Sequence, residues 1–208
     1  KFYNNTIRDC YIGYSIQGST LFYGAGNEIN TILGGTSTIE NITSTGVRID
    51  SQMDFTISNT TFTTFSGSSL TGIYVYTGNT NSGYITNNTL TAFTTTSSIE
   101  GIYIRNGENF EITGNVLTTF TSSGGDVYAM RINDGTTVNV TRNLVTDISY
   151  TGASSRAAYG IAVNGSSVTN IYNNMVGGIS APASTNSTLC ASGIALSQGT
   201  TVNMFYNS

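Results

Sequence analysis

The 208-residue sequence has no histidine, no tryptophan, one proline and two cysteines, and only 9% of its residues are charged. Because histidine is missing, the sequence offers no Ser-His-Asp or Cys-His catalytic arrangement, and it contains no zinc-binding or phosphate-loop spacing. With 7 Lys and Arg residues and a formal net charge of −4, it has too little basic surface for nucleic acid. No apolar run approaches the roughly 18 residues of a membrane span.

The abundant residues favour β-structure. Thr, Ser, Asn and Gly dominate the composition, and these types are weak helix formers, as are the β-branched residues. Hydrophobic residues make up 38% of the chain, with Ile, Val, Leu and Phe at regular positions, which is enough to bury a core. The sequence therefore predicts a folded, all-β chain.

A small residue followed by a short strand pattern recurs every 26–33 residues. Most occurrences are followed by a glycine, often after Asn or Asp, which predicts a turn because these residues tolerate positive φ. The occurrences are Gly13–Ile16, Gly46–Ile49, Gly72–Val75, Gly101–Ile104, Ala129–Ile132, Gly160–Val163 and Gly193–Leu196. The turn glycines are Gly18, Gly78, Gly107, Gly135, Gly165 and Gly199.

A second element has the form Asn-x-apolar. In five repeats it begins 14 residues after the small residue, which is a tighter spacing than the repeat length itself. We interpret these asparagines as an internal ladder at a bend, where each amide satisfies backbone groups, and not as catalytic residues. The element begins at Asn5, Asn30, Asn88, Asn115, Asn143 and Asn174, and Thr60 fills the same position in one repeat.

Together the two elements predict a parallel β-solenoid, a single domain over residues 1–208 with about seven coils of roughly 26–33 residues. Alternation predicts that the apolar residues of the first element point inward. They include Ile73, Val75, Ile102, Ile104, Met130, Ile132, Ile161 and Val163. An apolar column is expected five residues after the Asn position, at Phe65, Phe93, Phe120, Ile148 and Ile179.

Cys10 occupies the position of that apolar column, so we expect a buried thiol. Cys190 lies about six coils further along, or roughly 29 Å at about 4.8 Å per coil. A disulfide requires Cα atoms within about 7 Å. The register therefore predicts that Cys10 and Cys190 do not form a disulfide with each other.

These repeats resemble those of the right-handed parallel β-helix proteins of the pectin-lyase-like superfamily over essentially the whole chain. The resemblance implies a right-handed β-helix but not an activity, because a fold does not determine a function. The Thr-, Ser- and Asn-rich, lysine-poor composition is also similar to that of secreted surface proteins of Bacteroidota, many of which use the type IX secretion system. Since the sequence starts and stops inside a coil, we expect an uncapped fragment of a longer extracellular protein.

The outward positions of the first element are the candidate ligand-binding site. In register they form one patch in which tyrosine rings can stack on sugars, and Arg, Asp and Asn can bind hydroxyls or carboxylates. The alternative is a purely structural ladder, because Tyr and Arg also pack against cross-strand neighbours. The predicted residues are Arg48, Asp50, Tyr74, Tyr76, Tyr103, Arg105 and Arg131, with Asn133, Ala162 and Asn164 beyond them.

Enzyme signatures of the superfamily are incomplete. A polygalacturonase-like site needs a histidine, and a glycosidase needs a carboxylate partner for Asp50. Asp54 lies beyond the next turn, and Glu100 is expected before its strand. A pectate-lyase-like site would use Arg105 or Arg131 as the base, but it also needs a cluster of calcium carboxylates.

We therefore predict a non-catalytic, secreted or cell-surface module, adhesin-like or glycan-binding, with no metal or cofactor. Its expected partners are a polysaccharide or cell-surface glycan and the secretion machinery. The main alternative is a polysaccharide lyase or glycoside hydrolase fragment whose catalytic coils are incomplete. A minor alternative is an ice-binding solenoid, because Thr61-Phe62-Thr63 and Thr89-Leu90-Thr91 place pairs of threonines outward on adjacent coils.

Overall fold

A computed structural model describes residues 2–18, 33–52, 54–76 and 82–208. Over these residues the chain forms strands, turns and bends, and no helix is present. The expected positions of Asn30 and Gly78 lie outside the described residues. The predicted all-β class is confirmed.

Each coil passes through three faces, each a parallel sheet that stacks along the long axis of the molecule. The first face contains the second halves of β2 (Thr6–Gln17) and β4 (Ser37–Asp50), then β7 (Leu70–Val75), β10 (Ile99–Ile104), β13 (Val127–Ile132), β16 (Ala158–Val163) and β20 (Ala191–Leu196). The second face contains β1 (Phe2–Tyr3), β3 (Leu33–Gly34), β5 (Phe55–Ser58), β8 (Ser82–Thr86), β11 (Asn109–Thr113), β14 (Thr137–Thr141), β17 (Val168–Tyr172) and β21 (Thr201–Phe205).

The third face returns the chain to the next coil. It contains the first halves of β2 and β4, then β6 (Thr60–Gly67), β9 (Thr89–Thr95), β12 (Val116–Ser122), β15 (Leu144–Tyr150), β18 (Met175–Val176) and β19 (Ile179–Ser180). The regular part of the stack, from the second half of β4 to β19, has about five coils. The expected seven counted every occurrence of the first pattern, including β2, whose coil contains the undescribed residues 19–32, and β20, whose coil extends only to β21.

The interior is built from columns of like residues. Ile102 pairs with Ile73 on one side and with Met130 on the other, and all the predicted inward residues of the first face are at most 1% exposed. In the apolar column of the third face, the Phe65 and Phe93 rings stack at 4.2 Å and the Phe93 and Phe120 rings at 4.6 Å. This stacking confirms the predicted register.

The two cysteines lie where the stack is less well covered. Cys10 pairs with Ile42 as the register predicts, but it is only half-buried, because β2 pairs with β4 alone and no described coil covers its other side. The partial burial, together with the nearby Asp9 carboxylate, raises the pKa of the Cys10 thiol. Cys190 is exposed, and both cysteines are free, as predicted.

Close backbone contact explains the small residue that opens each first-face pattern. A Cβ on Gly101 would lie 2.5 Å from the carbonyl oxygen of Ala129 in the next coil and 2.6 Å from a Phe120 ring carbon. Both Gly101 and Ile102 are buried, so two consecutive residues face the core. As a consequence, the outward residues of β10 are Glu100 and Tyr103, three positions apart.

The asparagines form a ladder that is buried except at its last member, and we call it the inner asparagine ladder: Asn88, Asn115, Asn143, Asn174 and the half-buried Asn207. The Asn115 Oδ1 accepts hydrogen bonds from the Asn88 backbone N–H and from the Asn88 side-chain Nδ2, both at 3.0 Å. The Asn88 Nδ2 also donates to the Ile57 carbonyl at 2.9 Å, and the same pattern repeats up the stack. The predicted ladder is confirmed. In the coil assigned to Asn30, Ser37 holds the equivalent position, since it pairs with Thr60.

Candidate ligand-binding faces

The structure brings all seven predicted site residues together on the first face. Arg48, Tyr74, Tyr103 and Arg131 form one column, each paired with the next in adjacent strands. Two residues further along, Asp50 is the last residue of β4, and Tyr76 and Arg105 directly follow β7 and β10. The patch is therefore continuous across four coils.

The ring faces of the central tyrosines are covered. The Tyr74 and Tyr103 rings stack at 5.1 Å with an interplanar angle of 13°. The Arg48 guanidinium lies over the Tyr74 ring, 5.7 Å from its centre, and the Arg131 guanidinium lies over the Tyr103 ring, 5.1 Å from its centre. The expected stacking of a sugar on these rings does not match this arrangement. What the two tyrosines can offer a ligand is their edges and hydroxyl groups.

Two of the three arginines are paired with carboxylates. The Arg131 guanidinium lies 2.7 Å from the Glu100 carboxylate, and the Arg48 guanidinium lies 3.5 Å from that of Asp50. Arg105 is exposed, lies 4.9 Å from the centre of the Tyr76 ring, and donates a hydrogen bond to the Tyr74 hydroxyl at 3.3 Å. No carboxylate of the described residues forms an ion pair with Arg105.

Sequence reasoning missed an adjoining column: Glu100, Tyr128 and Tyr159. Glu100 was expected before its strand, but β10 begins at Ile99, and Glu100 faces outward beside Arg131. The Tyr128 and Tyr159 rings stack at 4.7 Å. Each of these residues directly precedes the small residue of its repeat, and that recurrence is the signal that would have found them.

Burial changes the titration of this column. Desolvation raises the pKa of Glu100, although the hydrogen bond from Arg131 opposes the shift. Desolvation and the nearby Asp126 carboxylate raise the pKa of Tyr128 to about 12. Arg131 also lies 4.8 Å from the Tyr128 ring and donates to the Asn133 side chain, which in turn donates to the Tyr103 hydroxyl. The adjoining column is thus largely satisfied by internal contacts.

Comparison with protein families identifies the architecture. A family model described as the right-handed β-helix region matches residues 30–208, which is most of the chain. The chain belongs to this right-handed β-helix family. The resemblance to right-handed parallel β-helix proteins, and the right-handedness that it implies, are confirmed. Comparison with curated proteins and with solved structures gives no significant match.

The described residues do not contain the metal-binding cluster or the close Asp50–Glu100 carboxylate pair that two of the enzyme alternatives need. No group of three or more His, Cys, Asp or Glu side chains lies close enough together there to hold a metal ion. On the first face, Glu100 and Asp50 lie two coils and about five residues apart, roughly 18 Å at ordinary strand spacings. Glycosidase carboxylates are about 5–9.5 Å apart.

No helix in the described part of the chain is long and apolar enough to cross a membrane.

The second face of the β-helix carries another ladder, which sequence reasoning did not find. Asn203 donates to Asn170 at 2.8 Å, Asn170 donates to Asn139 at 2.7 Å, and Asn139 donates to the Glu111 carboxylate. We call Asn139, Asn170 and Asn203 the outer asparagine ladder. Its signal in the sequence is an asparagine in the middle of a β-branched segment, with spacings of 31 and 33 residues.

The third face of the β-helix carries the threonines. Thr63, Thr91, Thr118 and Thr146 form one outward column, in which Thr146 donates to Thr118 at 3.1 Å. The neighbouring column contains Thr38, Thr61 and Thr89 but continues with Val116 and Leu144, and in the coil of Thr38 the first column has Glu40 in place of a threonine. The face also bends after each threonine, because the next residue adopts positive φ, for example Thr119 at 61°. Paired threonines therefore extend over two coils only, the same two that suggested the ice-binding alternative.

Proposed function

We propose that the chain is a non-catalytic β-helix module, secreted or on the cell surface, whose first face binds an acidic glycan. The observation that carries the proposal is Arg105: it is exposed, held in place by Tyr74 and Tyr76, and without an ion-pair partner among the described residues. An arginine guanidinium binds a carboxylate through two parallel hydrogen bonds. A uronate carboxylate would supply the missing partner.

The surroundings of Arg105 fit an adhesin-like role. The Tyr74 and Tyr103 hydroxyls and the Asn133 amide lie on the same face and can hydrogen-bond sugar hydroxyls. The paired Arg48 and Arg131 are already neutralised by carboxylates and so contribute less to binding an anion. We therefore assign Arg105 the anchoring role, with the other residues as hydrogen-bonding groups around it.

The alternative is a polysaccharide lyase in which Arg105 or Arg131 acts as the base. A lyase base must lose its proton, so a lowered pKa would favour it. The hydrogen bond with the Tyr74 hydroxyl instead raises the pKa of Arg105, and the pKa of Arg131 is raised by its contact with Glu100 in spite of desolvation. Both directions favour a binding surface over this catalytic assignment.

The test compares binding of uronate-containing and neutral oligosaccharides on a glycan array and by calorimetry. Arg105→Gln should weaken binding of acidic ligands about tenfold or more, since a charge-assisted pair is lost. Arg142→Gln is the matched control, because Arg142 is also exposed but lies away from the first face. Higher ionic strength should weaken the native interaction. Equal binding by Arg105→Gln and native protein, or no acidic glycan bound at all, would show that the patch is only structural.

A second measurement addresses catalysis. Native protein incubated with acidic and neutral polysaccharides should release neither unsaturated sugar ends nor new reducing ends. Release of either product, abolished by Arg105→Gln or Arg131→Gln, would favour the lyase or hydrolase alternative over the binding module.

A further inference from the structure

A groove on the second face lies between two columns of outward side chains. Ser82, Asn109 and Thr137 form one wall, and Tyr84, Glu111 and Asn139 form the other. The floor is made by Gly83 and Phe110, and the cavity volume is about 160 Å³. Since about 10–15 Å³ of such space is enough for one water, the groove has room for several waters and suits one small ring rather than a long chain.

The groove has the opposite charge character to the first face. Its lining contains one carboxylate, Glu111, and no Lys or Arg. Glu111 accepts a hydrogen bond from the Asn139 amide, and no cation of the described residues forms an ion pair with it. Arg142 lies on the same face, where it donates a hydrogen bond to Thr113, the next outward residue of β11, and not to Glu111. The groove therefore offers an anionic acceptor with hydrogen-bonding walls.

Tyr84 adds an aromatic surface to this carboxylate. It pairs with Glu111 in adjacent strands, and the residue is 43% exposed, in contrast to the covered rings of the first face. A cation gains from contact with both a carboxylate and a tyrosine ring. Hydroxyl groups of a ligand can in turn bind the Ser82 and Thr137 hydroxyls and the Asn109 amide on the opposite wall.

We propose that this groove binds a protonated amino sugar, with its ammonium group at Glu111 and Tyr84 and its ring hydroxyls at Ser82, Asn109 and Thr137. An acidic sugar would place its carboxylate against Glu111 and is excluded by repulsion. A neutral sugar would leave the carboxylate without a cation. This site is independent of the acidic-glycan site proposed on the first face, because the two lie on different sheets and contain no common residue.

The experiment titrates the native chain with short glucosamine oligomers, with their N-acetylated counterparts and with glucose oligomers of the same length, followed by calorimetry. We expect glucosamine oligomers to bind and both uncharged series to bind about tenfold more weakly or not at all, since the charge-assisted contact is missing. Equal binding of the N-acetylated oligomers, or no binding of glucosamine oligomers, would overturn the proposal.

Two variants test whether glucosamine binding depends on the carboxylate in the groove. Glu111→Gln keeps an acceptor for Asn139 and should retain the fold, checked by circular dichroism, while weakening glucosamine binding about tenfold. Glu108→Gln removes the same charge from an exposed side chain outside the groove lining and should leave binding unchanged. Equal weakening by both variants would mean that the amine is attracted by overall charge, which contradicts a defined site. Arg105→Gln should leave glucosamine binding unchanged. A negative result for the groove can therefore be distinguished from a negative result for the first-face site.

Discussion

The β-helix uses the same two kinds of ladder inside and outside. Inside, the Phe65, Phe93 and Phe120 rings stack, and the inner asparagine ladder runs beside them. Outside, Tyr74 stacks on Tyr103, and the outer asparagine ladder links Asn139, Asn170 and Asn203. The pairings and distances are similar, but the inner residues other than the half-buried Asn207 are at most 2% exposed, while the outer ones are in contact with solvent.

The difference shows that recurrence in a sequence does not distinguish structural from functional residues. A buried amide must be hydrogen-bonded because water cannot replace a lost partner. An outward amide or phenol loses little when a partner is removed, so it is free to exchange a ladder contact for a ligand. Burial therefore separates the two roles, and three measurements test this distinction.

The largest effect is expected in the aromatic ladders. Phe120→Ala should lower the free energy of unfolding by about 3–5 kcal/mol, because a fully buried ring leaves a cavity. Tyr103→Ala should cost about 1–1.5 kcal/mol, since it loses one stacking contact and one contact with Arg131 at a wetted surface. Urea unfolding followed by circular dichroism measures both. A cost below about 1 kcal/mol for Phe120→Ala, or similar costs for the pair, would contradict the comparison.

The asparagine ladders should differ in the same direction. Asn115→Ala leaves the two Asn88 donors and the Ile85 carbonyl without their buried partner, at a cost of about 3 kcal/mol. Asn170→Ala is the matched control in the outer ladder. It should cost less than about 1 kcal/mol, since water can reach the Asn139 and Asn203 amides. Equal destabilisation would mean that the outer ladder is also a structural requirement.

The smallest effect concerns an intermediate case, the half-buried Tyr128. Its pKa of about 12 lies above the ordinary value of 10, so the folded chain keeps the phenol proton where the unfolded chain has lost it. Stability should therefore be independent of this group below about pH 10 and decrease between about pH 10 and 12, by about 1–2 kcal/mol after allowance for solvent screening. The free energy of unfolding, measured at several pH values, gives the slope of stability against pH. Tyr128→Phe should make this slope smaller. An unchanged slope in that variant would assign the effect to other groups.

Much of this arrangement follows from the sequence, because period-two alternation and the Gly and Asn spacings fix which residues meet. The sequence predicts the inward columns and the inner asparagine ladder. It also predicts that the seven outward site residues, from Arg48 to Arg131, lie on one face. Glu100 was missed because the consecutive inward pair Gly101–Ile102 breaks the alternation. Ser37 takes the ladder position assigned to Asn30, because 24 positions separate Gly13 from Ser37 where 14 separate Gly46 from Thr60.

Other features depend on side-chain conformation and on position in the stack. Alternation indicates that Tyr74 and Tyr103 point outward but not that their rings cover each other, which depends on their rotamers. Cys10 is only half-buried because no described coil lies on one side of β2. The residue type alone does not indicate this partial burial. The groove at Glu111 combines residues from three coils whose individual types are ordinary for exposed strands.

The inner asparagine ladder has a mechanical consequence. Its hydrogen bonds run parallel to the long axis and join residues 27, 28, 31 and 33 positions apart in successive coils. A pulling force along the axis acts first on the hydrogen bonds between the terminal coil and the next one, because each coil is bonded only to its neighbours. Each detached coil then releases about 90–110 Å of extended chain. Under tension the protein should lengthen in nearly equal steps, as an extensible tether that yields one coil at a time.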